Sequence, residues 1–257
     1  SITLTENLTV TQANVIDGLT TGVVTASIAK TESVDSLKTL TGTNNAYTIV
    51  IATGDATGRT AAEFNTINAL TTGTIDATAV TGLAHDTISN ISTLLTAGND
   101  TAQFTDTSFS QLNSVSVFNV TEYLANNNDL ANYFSPTNGF ITTAQQEAGA
   151  INHYDNFGFA EGRNDGSIDV SELNSAIAEA NIATGTTPET ASDASQITTV
   201  FSITSGLTIN GGSDVEFSTL LTNEALGNIS ITNQNLTVDS GSISVDDANL
   251  LSATTTG

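Results

Sequence analysis

The sequence predicts an α+β fold: a β-rich repeat solenoid of strand–turn–short-helix units with a small helical module inserted. Three observations predict it. One segment recurs, as VTQANVIDGLTTGVVTA at 10–26, TAAEFNTINALTTGTIDA at 60–77 and VDDANLLSATTTG at 245–257, with Asn14, Asn65 and Asn249 each eight residues ahead of a glycine. Apolar residues recur in triplets spaced by three, each followed by a polar break and then a β-branched stretch. Three of the four tyrosines and half of the ten phenylalanines fall between residues 118 and 183.

The first triplet, Ala13, Ile16 and Leu19, makes a short helix with one buried face. Thr20-Thr21-Gly22 ends it, and Val23–Ile28 reads as a strand. Val34, Leu37 and Leu40 repeat the pattern, with a break at Gly42-Thr43-Asn44 and a strand at Tyr47–Ile51. Phe64, Ile67 and Leu70 lead through Thr71-Thr72-Gly73 to Thr74–Val80. Ile88, Ile91 and Leu94 lead through Gly98-Asn99 to a weaker strand at Ala102–Thr105, and Leu112, Val115 and Phe118 close the series. Gly and Asn suit the breaks because they tolerate the left-handed conformation that ends a helix. Such units hide their apolar faces only against one another, so the reading stacks them with strands in parallel on one side. The last copy reaches Gly257 where a strand is due, and Ser1 opens on one. This predicts either a segment of a longer tandem array or a subunit that joins others head to tail. The expected organisation is a repeat part over 1–117, a helical insert with an aromatic core over 118–183, a linker over 184–195 and a second repeat part over 196–257.

Within the insert, Tyr123, Leu124 and Leu130 predict one helix, 144–157 a second, and Ser171–Ala180 a third started by Asp169 or Ser171. Its aromatics read as a local core; a carbohydrate-stacking face is the alternative, though there is no Trp. The run Tyr123-Leu124-Ala125-Asn126-Asn127-Asn128-Asp129-Leu130, followed by His153-Tyr154 and Phe157-Gly158-Phe159-Ala160-Glu161-Gly162-Arg163, resembles a bacterial module of the form YLAxNPDL…HY…FG…EGR. Asn128 stands where that pattern has Pro. The flanking LTTG repeats resemble those of giant secreted and cell-surface repeat proteins of bacteria, including cyanobacterial S-layer-like and RTX-type proteins. The resemblance implies a secreted, extracellular or cell-surface location and implies no reaction.

Composition narrows the classes further. The chain holds 4 Lys+Arg against 27 Asp+Glu, a formal charge of -23, so no basic footprint exists for nucleic acid. Anionic membrane surfaces repel it, and no apolar run is long enough to insert. Without Cys there is neither a disulfide framework nor a thiolate metal site. The 46 threonines supply an uncharged polar surface and, being β-branched, point to strands.

A metal site is expected at Glu161, Asp165, Asp169 and Glu172, because EGRNDGSIDVSE follows the twelve-residue calcium-loop spacing, with Gly166 at the sharp turn. Glu161 in place of Asp and Arg163 at a ligand position depart from that pattern, and Asp169 has a competing role as a helix cap. Asn210-Gly211-Gly212-Ser213-Asp214 resembles half of a calcium-binding nonapeptide but reads better as a turn, and Asp246-Asp247 suits the first turn of a helix. His153 belongs with the aromatics and His85 with a loop; no nucleophile or phosphate-loop motif is present, so no enzyme is expected. These readings predict a non-enzymatic structural component of an extracellular surface layer, fibre or matrix. It would assemble with itself, head to tail or laterally, by coil stacking or strand-edge pairing, with Ca²⁺ moderating repulsion. The alternative is an adhesin or carbohydrate-binding segment of a giant secreted protein, with cell-surface glycans as partners.

Overall fold

Thr9 and Thr60 decide how the repeated segment folds. Each accepts a hydrogen bond from the backbone three residues on, at Gln12 and Glu63, and those side chains reach back to the cap residue's own N–H. These reciprocal boxes start the helices α1 (Val10–Gly18) and α3 (Ala61–Ala69). Thr142 with Gln145 and Ser213 with Glu216 do the same for α7 (Thr143–His153) and α9 (Asp214–Ala225).

In a computed structural model, residues 1–97, 103–158, 160–163, 166–185, 199–203, 206–232, 234–238 and 243–255 are described. The remaining helices are α2 (Val34–Leu37), α4 (Ile88–Ala97), α5 (Val120–Asn126), α6 (Asn128–Tyr133), α8 (Val170–Ala183) and α10 (Val245–Thr254). The strands are β1 (Ile2–Leu8), β2 (Val24–Ile28), β3 (Ala46–Val50), β4 (Ile75–Asp76), β5 (Gly82–Asp86), β6 (Ser114–Val117), β7 (Ser167–Asp169), β8 (Val200–Ile203), β9 (Thr208–Gly212) and β10 (Asn235–Val238). They form three short parallel sheets in the orders β1-β2-β3-β4, β10-β9-β7 and β5-β6-β8.

The architecture is therefore α/β, and the expected α+β class with a β-rich repeat solenoid is incorrect. The helices, up to 14 residues long, outweigh strands of two to seven residues. The threonines explain the error. Many that read as strand formers instead cap helices or tie turns: Thr20 Oγ1 accepts from the Gly22 N–H at 3.0 Å, and Thr71 Oγ1 from the Gly73 N–H at 2.9 Å. The expected strand over 74–80 shrinks to β4, while β2 and β3 lie within a residue of their expected positions.

The chain divides into two units. The first comprises Ser1–Ala84, Asn90–Val115 and Ala178–Thr199. Here β1 pairs with β2 (Ile2↔Val24), β2 with β3 (Thr25↔Ala46) and β3 with β4 (Ile49↔Ile75), all in parallel. Each pair is joined through a helix, as parallel strands require a crossover. Val24, Ile28, Tyr47, Ile49 and Ile75 on the strands and Val34, Leu37, Phe64 and Ile67 on the helices are buried. Of the first triplet, Ala13 is buried but Leu19 is 80 % exposed. The repeated Asn has a structural job. Asn14 Nδ2 donates to Thr39 O at 2.8 Å while its Oδ1 accepts from the Thr41 N–H at 2.9 Å, and Asn65 Nδ2 donates to Asn90 O at 3.0 Å. Each amide thus ties its helix to backbone some 25 residues on.

The second unit comprises His85–Ser89, Ser116–Ile177 and Val200–Gly257. Its expected single helix around Tyr123 to Leu130 is two, α5 and α6, broken at Asn127, whose side chain donates to Tyr123 O at 2.8 Å. α7 runs into a π-helical turn at Tyr154–Gly158. Phe118, Tyr123 and Tyr154 are fully buried with ring centroids 5.0 to 5.4 Å apart. β7 pairs with β9 (Ile168↔Ile209), and Ile168, Leu173, Ile209, Phe217 and Leu220 form a second apolar cluster. Most of the expected linker, the Gly98-Asn99 break and the start of the Ala102–Thr105 strand lie outside the described residues.

Candidate functional site

The outer strands of two sheets are the first candidates. Among the described residues β1 is the longest strand and is outermost in its sheet, and its Thr3 and Thr5 are exposed. The Ile2 N–H donates to Val23 O at 2.8 Å, so by the alternation of parallel pairing the Thr3 N–H turns to the open side. Among the described residues β10 is outermost in the sheet β10-β9-β7. Its Asn235 N–H donates to Leu207 O at 3.3 Å, which turns the Leu236 N–H outward. Proteins usually guard such edges with Lys, Pro or a bulge. β10 carries no charged residue and β1 only Glu6, in a chain of net charge -23; irregular pairing between Thr3 and Asn7 and between Leu236 and Val238 is the guard present.

The repeat shows how a strand is received. Thr71 Oγ1 accepts from the Tyr47 N–H and donates to Tyr47 O, both at 2.8 Å, fastening the start of β4 to β3. Gly73 passes so close to β3 that a Cβ would lie 2.3 Å from Tyr47 O. In the third copy Thr255 Oγ1 donates in the same way to Gln234 O, immediately ahead of β10. The sequence contained the repeat, but not the fact that its threonine grips the strand before it.

Of the four expected metal ligands, Glu161, Asp169 and Glu172 lie within the described residues. Glu161 is exposed and its Oε2 pairs with Arg163 Nε at 2.6 Å; Arg163 also reaches Asp129 at 2.8 Å. Asp165 lies outside the described residues. Asp169 ends β7 and caps α8: its Oδ1 accepts from the Ser171 N–H at 2.8 Å, the Ser171 hydroxyl at 2.5 Å and the Glu172 N–H at 3.3 Å. The Ser171 hydroxyl is the main reason its carboxyl titrates below the usual range. Asp169 and Glu172 do line one recess of about 230 Å³, together with Asn119, Asn210 and Glu122. Glu122 is the residue that sequence reasoning missed. Its Oε2 accepts from the Ser167 N–H at 2.7 Å and lies 2.5 Å from where a Cβ on Gly166 would be. Being 45 residues distant, it has no local signal beyond its place in the first turn of α5. Among the described residues no group of three or more His, Asp or Glu is placed to hold a metal ion.

Gly166 does have the positive φ, +90°, expected at a sharp turn, while Asn210-Gly211-Gly212 closes β9 and Ser213 caps α9. Asp246 and Asp247 occupy the first turn of α10. His85 lies in β5 rather than a loop, edge-on to Phe118 at 6.5 Å. His153 Nδ1 is 2.9 Å from the Tyr123 hydroxyl. Comparisons with protein-family models, with curated proteins and with solved structures found no match.

Proposed function

We propose that this chain is a non-enzymatic structural component of an extracellular surface layer or matrix. It assembles with copies of itself by strand-edge pairing, β1 of one copy against β10 of another. The observation that carries the reading is the pair of nearly uncharged parallel strands, outermost among the described residues, on a strongly acidic chain. Repulsion keeps most of the surface apart, and the edges are where close approach costs least. Coil stacking falls with the solenoid and is no part of the proposal. An exterior location is supported by the absence of Cys and the scarcity of Lys.

One edge contact is weak. Four backbone hydrogen bonds at about 1 kcal/mol each give roughly 4 kcal/mol, a dissociation constant on the order of 1 mM. Assembly then depends on crowding or on many contacts in series, and salt that screens the acidic surface strengthens it. Sedimentation velocity at rising concentration tests this. Self-association that grows with concentration and with NaCl, and that Thr3→Pro removes without changing the circular dichroism, is the expected result. Thr3→Pro deletes only an N–H directed away from β2; Thr3→Lys is a second edge variant that leaves the backbone free. A monomer at every concentration, or association indifferent to both variants, contradicts the proposal.

A further inference from the structure

We propose that an aromatic groove on the helical module binds a neutral oligosaccharide. The groove, about 610 Å³, lies in the second unit between α6 and α7 and is independent of the strand edges. Two of its rings face solvent: Tyr133 is 60 % exposed and Phe157 57 %. Their faces are braced from within. Tyr133 meets Phe134 edge-on at 5.1 Å and Phe140 at 5.9 Å, while Phe157 meets His153 at 5.8 Å. Gly149 on α7 makes the floor possible, since a Cβ there would lie 2.7 Å from the Phe134 ring and 3.0 Å from Phe140. The expected aromatic core is thus only part of what these residues form; Phe118, Tyr123 and Tyr154 are core, but Tyr133 and Phe157 are displayed.

The polar lining selects the ligand class. Among the described residues no carboxylate and no Lys or Arg lines the groove, so neither a cation nor an anion finds its counter-charge among them. Instead Gln145, Asn152 and His153 supply amides and an imidazole. Such groups both donate and accept, which suits hydroxyl groups. His153 has Nδ1 engaged with the Tyr123 hydroxyl, so Nε2 is the ring nitrogen left for a ligand. Gln145 uses Oε1 on the Ile141 and Thr142 N–H groups, which leaves its NH₂ to donate. Rigid ring faces for the C–H face of a pyranose, with amide and imidazole groups for its hydroxyls, form one site that needs no Trp.

Tyrosine fluorescence and NMR titration with maltohexaose, cellohexaose and chitohexaose, with octyl sulfate as an apolar anionic control, test the assignment. At least one oligosaccharide is expected to bind, and Tyr133→Ala and Phe157→Ala are each expected to weaken it tenfold or more at unchanged melting temperature. Binding by none of the three at millimolar concentration, binding of octyl sulfate alone, or oligosaccharide binding that survives both substitutions overturns it.

Discussion

Arg59→Met is expected to destabilise the protein by about 3 kcal/mol, measured by chemical denaturation, because it strands a buried carboxylate. Asp55 is only 5 % exposed and holds Arg59 at 2.6 Å, while its other oxygen accepts from the Val34 N–H at 3.0 Å. Arg59 also reaches Asp35 at 2.8 Å and Glu63 at 3.5 Å, and Lys38 bridges the same two acids. Two cations therefore serve three carboxylates from α2, α3 and the turn between β3 and α3. Removing one cation leaves like charges facing each other as well as a desolvated anion. Adding Asp55→Asn to Arg59→Met is expected to recover much of the loss, because the unpaired charge is gone; a double variant no better than the single one would show that lost packing dominates. The network also sets an acid response. Hydrogen bonds from Lys38 and then Arg59 hold the Asp35 carboxyl below its ordinary value. A group depressed in the folded state binds more protons when unfolded, so its stabilisation is present above about pH 4 and disappears as pH falls through the lowered pKa. The wild type should lose stability below that point more steeply than Arg59→Met.

Gly73→Ala should cost about 3 kcal/mol, more than Gly22→Ala, the same position in another copy of the repeat. A Cβ on Gly73 would meet Tyr47 O at 2.3 Å and Tyr47 C at 2.7 Å, in a strand fixed by pairing on both sides. A Cβ on Gly22 would meet the backbone nitrogen of Ser1 at 2.7 Å, a smaller overlap. Melting curves of the two variants separate the cases. Equal losses would mean that the glycines serve local turn conformation rather than close approach to a neighbouring strand.

The contrast shows what could be read from residues alone. The repeat, its Asn and its glycine were legible, because identical residues at fixed spacing are local information. Which way the threonines act was not. Thr9, Thr60 and Thr142 satisfy helix N–H groups, and nothing in β-propensity separates a capping Thr from a strand Thr. The class therefore came out too rich in strand. The concentration of aromatics over 118–183 was legible, but burial of Phe118 and display of Phe157 depend on tertiary packing that spacing does not encode. Spacing placed Glu161 and Asp169 in one expected ligand set; in the fold Arg163 pairs with the first and the start of α8 engages the second.

Cross-linking between two differently labelled copies tests strand-edge assembly most directly, since the chain has no Cys of its own. Thr3→Cys and Thr237→Cys proteins, mixed at high concentration with a short bis-maleimide, are expected to give a mixed dimer that neither protein gives alone. A mixture that stays monomeric, or that joins only Thr3→Cys to Thr3→Cys, would contradict the pairing of β1 with β10.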